Sequence, residues 1–422
     1  ERWAQQKKLL VLGGAPNETT LVKRAQELGA YVVVADYYTD YALSPAKEFA
    51  DEVWDVNWTD IDKMVSLCKE ANIDGITAGY SEVKIEYLIK LCEKLKLPCY
   101  CTKKQLEITR DKQKFKEMCA KCNVPTVKQY NSLNEVDRFP VIVKPTDRAG
   151  SIGVGIAWDE YELLEVYKEA LDKSYTKNVI IEEYITDRKI DVYYMINNGK
   201  INLLTSNDVI MAKNNNAKKV VQSCWLYPHR ELDNFNNKVD KQLKKMIKKM
   251  DIKYGCIFFS GFIDKSLDYK FFECGFRLEG AHQYNYTYSS CGVNFLDVFI
   301  SHALFGNLKY LHYNDKIIRD LKFAIINIYA KAGKISSIKG FDEIKNMKNC
   351  SLVLVKANEG DSCKDGAILT KIGMFEFNNQ DPNEIAKDID KAYDVLEVVD
   401  TDGNDMIFDR VCTGKIRKWW NM

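Results

Sequence analysis

The sequence predicts an α/β and α+β protein. A doubly wound parallel sheet comes first, antiparallel α+β material next, and a small β-rich part last. Three observations predict this. Up to about residue 100, buried-strand patterns alternate with helical ones, as in a parallel sheet wound on both faces. Beyond that point, glycine- and asparagine-marked turns join neighbouring apolar runs into hairpins. From about Gly333 the runs are short and strand-like. Domains follow as residues 1–105, 106–320 and 321–422, in a chain of 422 residues that is too long for one ordinary core.

The first strand is the apolar run 9–12, broken by Gly13 and Gly14. Leu21, Ala25 and Leu28 recur at helical spacing, and Gly29 ends that helix. Residues 31–35 form the second strand, ending at Asp36. "DEVWDV" is a third strand, 60–71 a helix and "IDGITAGYSE" the fourth strand. Such a sheet binds ligands beyond the carboxyl ends of its strands, which points to Gly13, Gly14, Asp36 and the stretch from Tyr80 to Glu82. "GGAPNE" is not the GxGxxG of a dinucleotide fold, so the glycine pair reads equally well as a plain turn.

"EITRDKQKFKEMCAKCNVPTV" reads as one charged helix followed by a proline-marked strand. "FPVIVKPTDRAGSIGVGIA" reads as a strand, a glycine-rich loop and a returning strand. "NVIIEEYITDRKIDVYYMINNGKINLL" continues antiparallel through the turn "NNGK". A basic helix then leads to the strand pair "CIFFSGFIDKSLDYKFFECG". No regular repeat is present, and "KNNNAKK" (213–219) reads as a polar loop.

Composition excludes several classes. Hydrophobic residues make up 46% and charged residues 29%, which is globular usage. The net charge of +1 gives no global field toward nucleic acid or membrane, so neither is expected as a partner. "KQLKKMIKKM" (241–250) keeps apolar residues at helical spacing, so its lysines read as a solvated helix face. The 13 cysteines are scattered, the opening residues lack a signal-peptide pattern, and no run of ~18 apolar residues occurs. A reducing, cytoplasmic setting is the expectation. "CAKC" (Cys119, Cys122) has no second pair at zinc spacing and reads as core. The four histidines do not cluster. Only His282 lies near the stretch "YKFFECGFRLEG", and it reads as either a substrate contact or a satisfied core residue.

The residues that carry chemistry come in a definite order. Lys112 and Lys144 each supply a point charge for phosphate oxygens. The glycine-rich tip at 147–155, with Gly150, Ser151 and Gly153, can close over phosphates and present backbone N–H groups. Glu182 precedes an exposed strand edge at Glu183 and Ile185, which can read a purine edge. Glu273 ends a strand and suits a divalent cation bridging phosphates, and Arg277 follows four residues later. Singly, each is an ordinary surface charge or turn.

In this order and spacing they resemble the ATP-grasp superfamily. "RDKQKFK" and "PVIVKPTDRAGSIGVG" look like its two phosphate lysines, Lys112 and Lys144, with the flexible loop between its strands. "IIEEYI" resembles the hinge between the two lobes, where Glu182 accepts from the adenine amino group and the Glu183 and Ile185 backbone meets the ring. "FFECGFRL" resembles the strand end that carries the metal glutamate, Glu273, and the substrate arginine, Arg277. The first domain resembles the preATP-grasp domain of carboxylate–amine ligases, biotin carboxylase and the formate-dependent purine transformylase. "AGKI", "IKGFDEI" and "EGD" resemble their terminal domain.

The resemblance implies an ATP-grasp fold with ATP and Mg²⁺ (or Mn²⁺) as cofactors. It implies activation of a small-molecule carboxylate as an acyl phosphate and attack by an amine, with Lys144 and Arg277 in catalysis. Arg277, His282 and Glu82 are the implied substrate residues. Lys189 stands where many members carry the ribose glutamate, so the resemblance implies either Asp191 as the ribose ligand or Lys189 over a phosphate. A second departure is "FFSGF", which places Ser260 and Gly261 where a first metal carboxylate is usual. A third is Gly275, where many members have asparagine. Asp264, Asp268 and Glu279 are nearby acids, the first two in the turn "DKSLD".

Three functions stand against each other: an ATP-dependent carboxylate–amine ligase, a nucleotide-binding pseudoenzyme or sensor, and a nicotinamide oxidoreductase using Gly13 and Gly14. Substrate contacts are expected from 206–211 and from the tyrosine-rich 280–290, which reads equally as a ligand wall or a core edge. A homodimer is the default assembly.

Overall fold

The computed structural model describes residues 2–148, 152–212, 221–314, 317–364 and 369–421. The chain opens with β1 (Lys8–Leu12), α1 (Glu18–Glu27), β2 (Tyr31–Ala35), β3 (Glu52–Trp54), α2 (Ile61–Ala71), β4 (Gly75–Thr77) and α3 (Glu82–Leu95). The four strands are parallel in the order β3-β2-β1-β4. Alternate residues feed opposite faces. Leu9, Val11, Val32 and Val34 pack with Leu21, Val22 and Ala25 of α1, whereas Leu10, Leu12 and Val33 pack with α2 and α3. This is the doubly wound arrangement that the alternating pattern predicts.

The charged stretch expected as one helix is two, α4 (Lys103–Arg110) and α5 (Lys112–Cys122). Asp111 sits between them in extended conformation and caps α5 by accepting from the Lys114 N–H at 2.9 Å. The break places Lys112 in the first turn of a helix. The expected boundary at 105/106 falls inside α4.

A small lobe follows: β5 (Gln129–Tyr130), β6 (Val141–Pro145), β7 (Gly155–Ala157), α6 (Glu160–Lys173) and β8 (Val179–Glu183). Its antiparallel sheet has the order β5-β8-β6-β7, and Leu163 and Ala170 of α6 pack on Val141, Val143 and Ile181. The pairing of β6 with β7 is the expected hairpin.

The large sheet begins with β9 (Arg188–Asn197), β10 (Lys200–Met211) and β11 (Gln222–Tyr227). The helices α7 (Leu232–Lys238) and α8 (Asp240–Lys249) come next, then β12 (Tyr254–Ile263), β13 (Tyr269–Gly275), α9 (Tyr284–Cys291) and α10 (Phe295–Phe305). The remainder comprises β14 (Lys322–Tyr329), β15 (Gly333–Lys339), α11 (Phe341–Lys345), β16 (Cys350–Val355), β17 (Ser362–Cys363), β18 (Lys371–Asn379), α12 (Pro382–Val395), β19 (Glu397–Asp400) and α13 (Thr413–Lys418).

The C-terminal strands differ from the expectation of a separate β-rich domain. β14, β18 and β16 extend one eight-stranded antiparallel sheet, β13-β12-β9-β10-β11-β14-β18-β16. Only β17-β15-β19 forms its own sheet. The reason is packing: Phe323 and Ile325 of β14 continue the apolar surface of Trp225 and Tyr227 on β11. One face of the large sheet rests on α5 and α8 under β9 and β12, and on α12 under β14 and β18. Leu243, Met246 and Ile247 are the buried side of α8, so its lysines face solvent as the pattern predicts. The other face lies toward the N-terminal sheet and the small lobe, and it carries the polar residues described next.

Candidate active site

The strand register sets the floor of the site. Asn207 on β10 opposes Asp191 on β9, Asp191 opposes Ser260 on β12, and Ser260 opposes Glu273 on β13. Directly paired residues of an antiparallel sheet share a face. Four polar side chains therefore form one row across the floor. Lys189 and Tyr193, two residues either side of Asp191, flank the row on the same face.

The hinge and small lobe supply the next group. Lys144 on β6 donates to Glu182 Oε2 on β8 at 2.7 Å. Lys116 Nζ lies 2.5 Å from Glu182 Oε1 and donates to the Val127 carbonyl at 2.8 Å. Burial opposes ionisation of Glu182, but Lys144 and Lys116 outweigh it and hold its carboxyl below the usual range. Sequence reasoning missed Lys116. The signal was present, because Lys116 lies one helical turn from Lys112 and so on the same face of α5. Lys144 Nζ is 4.8 Å from the Phe272 ring and Lys189 Nζ 5.9 Å from it, so both ammonium groups face one ring.

Lys112 donates to the Arg148 carbonyl at 2.7 Å, which ties this lysine to the base of the glycine-rich loop. Burial lowers its pKa, against the nearby charge of Glu273. Gly150 and Ser151 lie outside the described residues. Gly153 has φ +70°, and a Cβ there would meet Lys173 at 2.7 Å and Pro145 at 2.9 Å, so the loop turns back there only with glycine. The Glu183 N–H is bonded to the Lys128 carbonyl at 3.0 Å, and its side chain accepts from the Lys128 N–H at 2.8 Å and Lys270 at 3.1 Å. Ile185 is half-buried in the turn between β8 and β9.

Glu273 lines a cavity of about 100 Å³ with Glu82, Lys112, Arg148, Phe258 and Arg277. The Arg277 Nε donates to Glu82 Oε1 at 2.5 Å, and its guanidinium lies 5.2 Å from the Phe258 ring. The structure thus joins Glu82, at the start of α3, to the strand-end arginine 195 residues away. Among the described residues, no hydrogen bond or ion pair engages the Glu273 carboxylate. Ser260, opposite Glu273, donates to Asp191 Oδ1 at 2.5 Å. The absence of asparagine at 275 has a steric reason, since a Cβ on Gly275 would meet the Phe258 ring at 2.4 Å. Asp264 and Asp268 sit in the β12–β13 turn, as expected, with Asp268 paired to Lys238 at 2.7 Å.

Further along the same face lies a second group. Tyr193 donates to Glu279 Oε2 at 2.5 Å. Burial and the neighbouring Asp191 carboxylate push the Glu279 carboxyl up to about 7. His282 is buried, with Nε2 3.0 Å from Asn17 Oδ1 and Nδ1 3.4 Å from the Tyr80 hydroxyl. Burial and the cations Lys356 and Lys371 keep its pKa well below the usual value. Lys356 reaches Asn17 Oδ1 at 2.5 Å. Lys356 and Lys371 were not foreseen, because they arrive from C-terminal strands more than 70 residues beyond the strand-end motif. Of the segments expected to contact substrate, 206–211 is strand and 284–291 is helix. In the latter, Tyr284 and Tyr286 are buried and Tyr288 is exposed.

Two other constellations have structural explanations. The Asp36 carboxylate accepts from the Gly14 N–H at 2.8 Å and the Ser44 hydroxyl at 2.9 Å, and a Cβ on Gly14 would sit 2.0 Å from that hydroxyl. The protein's own side chains fill the cradle that a dinucleotide pyrophosphate needs. Asp208, His229 and Glu231 lie close enough to surround an ion. However, Arg188 bonds both carboxylates, at 3.0 Å for Asp208, and the Trp419 indole donates to Asp208 at 2.9 Å. Burial opposes ionisation there too, yet His229 and Arg188 hold Asp208 at about 2. The arginine already supplies the cation. Cys119 and Cys122 are buried core residues, as read.

The family model for the carbamoyl-phosphate synthase L chain, ATP binding domain, matches residues 111–301. A formate-dependent phosphoribosylglycinamide formyltransferase of Sulfolobus acidocaldarius is 30% identical over 198 residues, 44% of this chain and 49% of that protein. The match thus spans about half the length of such relatives. Among solved structures, the L-amino acid ligase from Bacillus licheniformis superposes with a TM-score of 0.77 at 17% identity, covering 94% of this chain and 99% of that one. The biotin carboxylase domain of Hydrogenobacter thermophilus 2-oxoglutarate carboxylase, solved with MgADP, ADP and bicarbonate, superposes with a TM-score of 0.75 at 17% identity, covering 99% of this chain and 94% of that one. Among the described residues, no helix is long and apolar enough to cross a membrane.

Proposed function

We propose that this chain, whose residues 111–301 match the carbamoyl-phosphate synthase L chain ATP binding domain, is an ATP-dependent carboxylate–amine ligase of the ATP-grasp superfamily acting on small molecules. One observation carries the reading. Lys112, Glu273 and Arg277 line one cavity between the lobes, and Lys144 is held at the adjoining hinge by Glu182.

The chemistry follows from the placement. Lys144 and Lys112 neutralise phosphate oxygens as the terminal phosphoryl group moves to a substrate carboxylate. Glu182, kept anionic by Lys116 and Lys144, accepts the adenine amino group. Arg277 fixes the substrate carboxylate with its forked donors, and its bond to Glu82 orients the guanidinium. Glu273, a carboxylate with no protein partner among the described residues, fits Mg²⁺, a hard cation that keeps water and phosphate oxygens as further ligands. When bound, Mg²⁺ supplies charge neutralisation between the phosphates. Closure of the 147–155 loop excludes the water that would hydrolyse an acyl phosphate. ATP and Mg²⁺ are therefore the proposed cofactors, and a carboxylate and an amine the proposed substrates.

Ser260 opposite Glu273 favours a second reading, in which nucleotide binds without turnover. Purified protein with Mg-ATP and a panel of carboxylates and amines separates the two. ADP and phosphate release that needs both substrates supports the ligase. Calorimetric ADP binding with no release across the panel supports the sensor.

A further inference from the structure

A wholly buried carboxylate on the floor, Asp191, and a half-buried one after β13, Glu279, take no part in the chemistry proposed above. Asp191 is wholly buried at mid-strand. Its Oδ1 is saturated, accepting from Ser260 at 2.5 Å and lying 3.4 Å from Lys189 Nζ. Its Oδ2 has no hydrogen-bond partner among the described residues, although it too is buried. Burying an unpaired carboxylate oxygen is costly, so such an atom marks a missing donor. Glu279 is near enough for the Asp191 charge to act on it, and it is held by the hydroxyl of Tyr193, whose Cα lies two residues, about 6.6 Å, along β9 from that of Asp191 with its side chain on the same face. Five groups from three strands and the segment after β13 surround the pair: Lys189 and Tyr193 on β9, Tyr227 on β11, Lys371 on β18, and Arg277.

Next to this pair, on the His282 side, lies a cationic group. Among the described residues, the Lys356 ammonium bonds one neutral amide oxygen, that of Asn17, at 2.5 Å. Lys371 rests 5.1 Å from the Trp225 ring, and the Trp225 Nε1–H is a buried donor without a partner. Burial lowers the pKa of both lysines, to about 8 for Lys356. Among the described residues, no carboxylate bonds either ammonium group or the indole N–H, and no hydrogen bond reaches Asp191 Oδ2.

We propose that Asp191 and Glu279 bind the ammonium group of the amine substrate, that Glu279 takes its proton, and that Lys356 and Lys371 hold a carboxylate at the substrate's other end. This places Asp191 on the acceptor side of the site rather than at the ribose, and it makes the acceptor a zwitterion of the amino-acid class. It rests on the ligase reading for its chemistry but not for its binding. In the step, the nitrogen lone pair forms the C–N bond to the acyl carbon, and the C–O bond to phosphate breaks with its electron pair. Of the two protons the ammonium nitrogen sheds, one goes to Glu279 and the other leaves with the phosphate. Glu279, its carboxyl raised to about 7, suits a base that must be ionised to bind ammonium and then accept a proton.

Hydroxylamine provides the test, because it is largely uncharged near neutral pH and captures acyl phosphates without an ammonium site or a base. Wild type, E279Q and D191N are given Mg-ATP with the common L-amino acids, singly and in pairs. Hydroxamate and amide products are measured separately. E279Q is expected to keep hydroxamate formation within about threefold and to lose amide formation by at least 100-fold. Amide formation retained within threefold, or both products lost together, would overturn the proposal. Absence of both products from wild type would sink the ligase reading alone. The binding claim is then decided by thermal shift with the same amino acids plus ADP: a stabilisation by an amino acid that D191N removes supports it, and no such ligand overturns it. If Mn²⁺ alone produces the D191N-sensitive shift, the pair is a metal site and the proposal fails.

Discussion

Glu182→Gln isolates the buried triad at the hinge. Glu182 is 1% exposed and sits between Lys144 at 2.7 Å and Lys116 at 2.5 Å. The variant leaves two buried ammonium groups facing a neutral amide. Removing one partner of a buried pair costs about 3–5 kcal/mol, because the remaining charge stays buried without compensation. At roughly 2–4 °C per kcal/mol for a domain of this size, the melting temperature falls by about 6–20 °C. Lys116→Met leaves Glu182 paired with Lys144 and removes one charged hydrogen bond, so its loss is about 1.5–3 kcal/mol. The pH dependence has a definite sign. The folded-state pKa of Glu182 is depressed below 4.5, so its stabilisation is complete above that pH and disappears as pH falls through the folded value. Calorimetric melting of both variants across pH is the assay. Equal melting temperatures for wild type and Glu182→Gln near neutral pH, or a larger loss in Lys116→Met, would refute the reasoning.

Other outcomes follow from the same contacts. Lys144→Ala lowers ADP release by at least about 100-fold, measured by a coupled assay, because a phosphate charge goes unmatched. Arg277→Lys keeps the charge but loses the fork that holds Glu82, so kcat falls about 10- to 100-fold while the KM for ATP stays constant. Gly153→Ala weakens ADP affinity by calorimetry, since its Cβ would enter Lys173 and Pro145. Trp419→Ala costs about 3–5 kcal/mol in denaturant unfolding, through lost packing and the lost bond to Asp208.

Much of this architecture is legible in local pattern. The alternation around Leu9, Leu21 and Val33, and the turn at Asn198 and Gly199, specify elements through contacts close in sequence. What escaped reading depends on long-range register. β14 joins the large sheet because Phe323 and Ile325 match Trp225 and Tyr227, a pairing that no local period encodes. The break at Asp111 turns on one capping bond inside an otherwise helical pattern. The cluster around His282 was hidden for the same reason. Asn17, Tyr80, His282 and Lys356 meet only after three parts of the chain pack together. The order of Lys112, Lys144, Glu182, Glu273 and Arg277 was readable because each lies at an element end that the sequence marks with glycine, proline or a charged cap. Gly261→Glu, a natural way to add a second metal carboxylate, is closed by geometry: its Cβ would meet the Lys270 carbonyl at 2.8 Å. Ser260, which faces Glu273 directly, is the position for that change.

The central claim is that this cleft couples ATP cleavage to joining a carboxylate and an amine. Its most direct test is quantitative product analysis of purified protein with Mg-ATP and paired amino acids. The expected result is ADP, phosphate and an amide in equal amounts, none of them formed by Lys144→Ala. Contradiction would be tight ADP binding with no product from any pair.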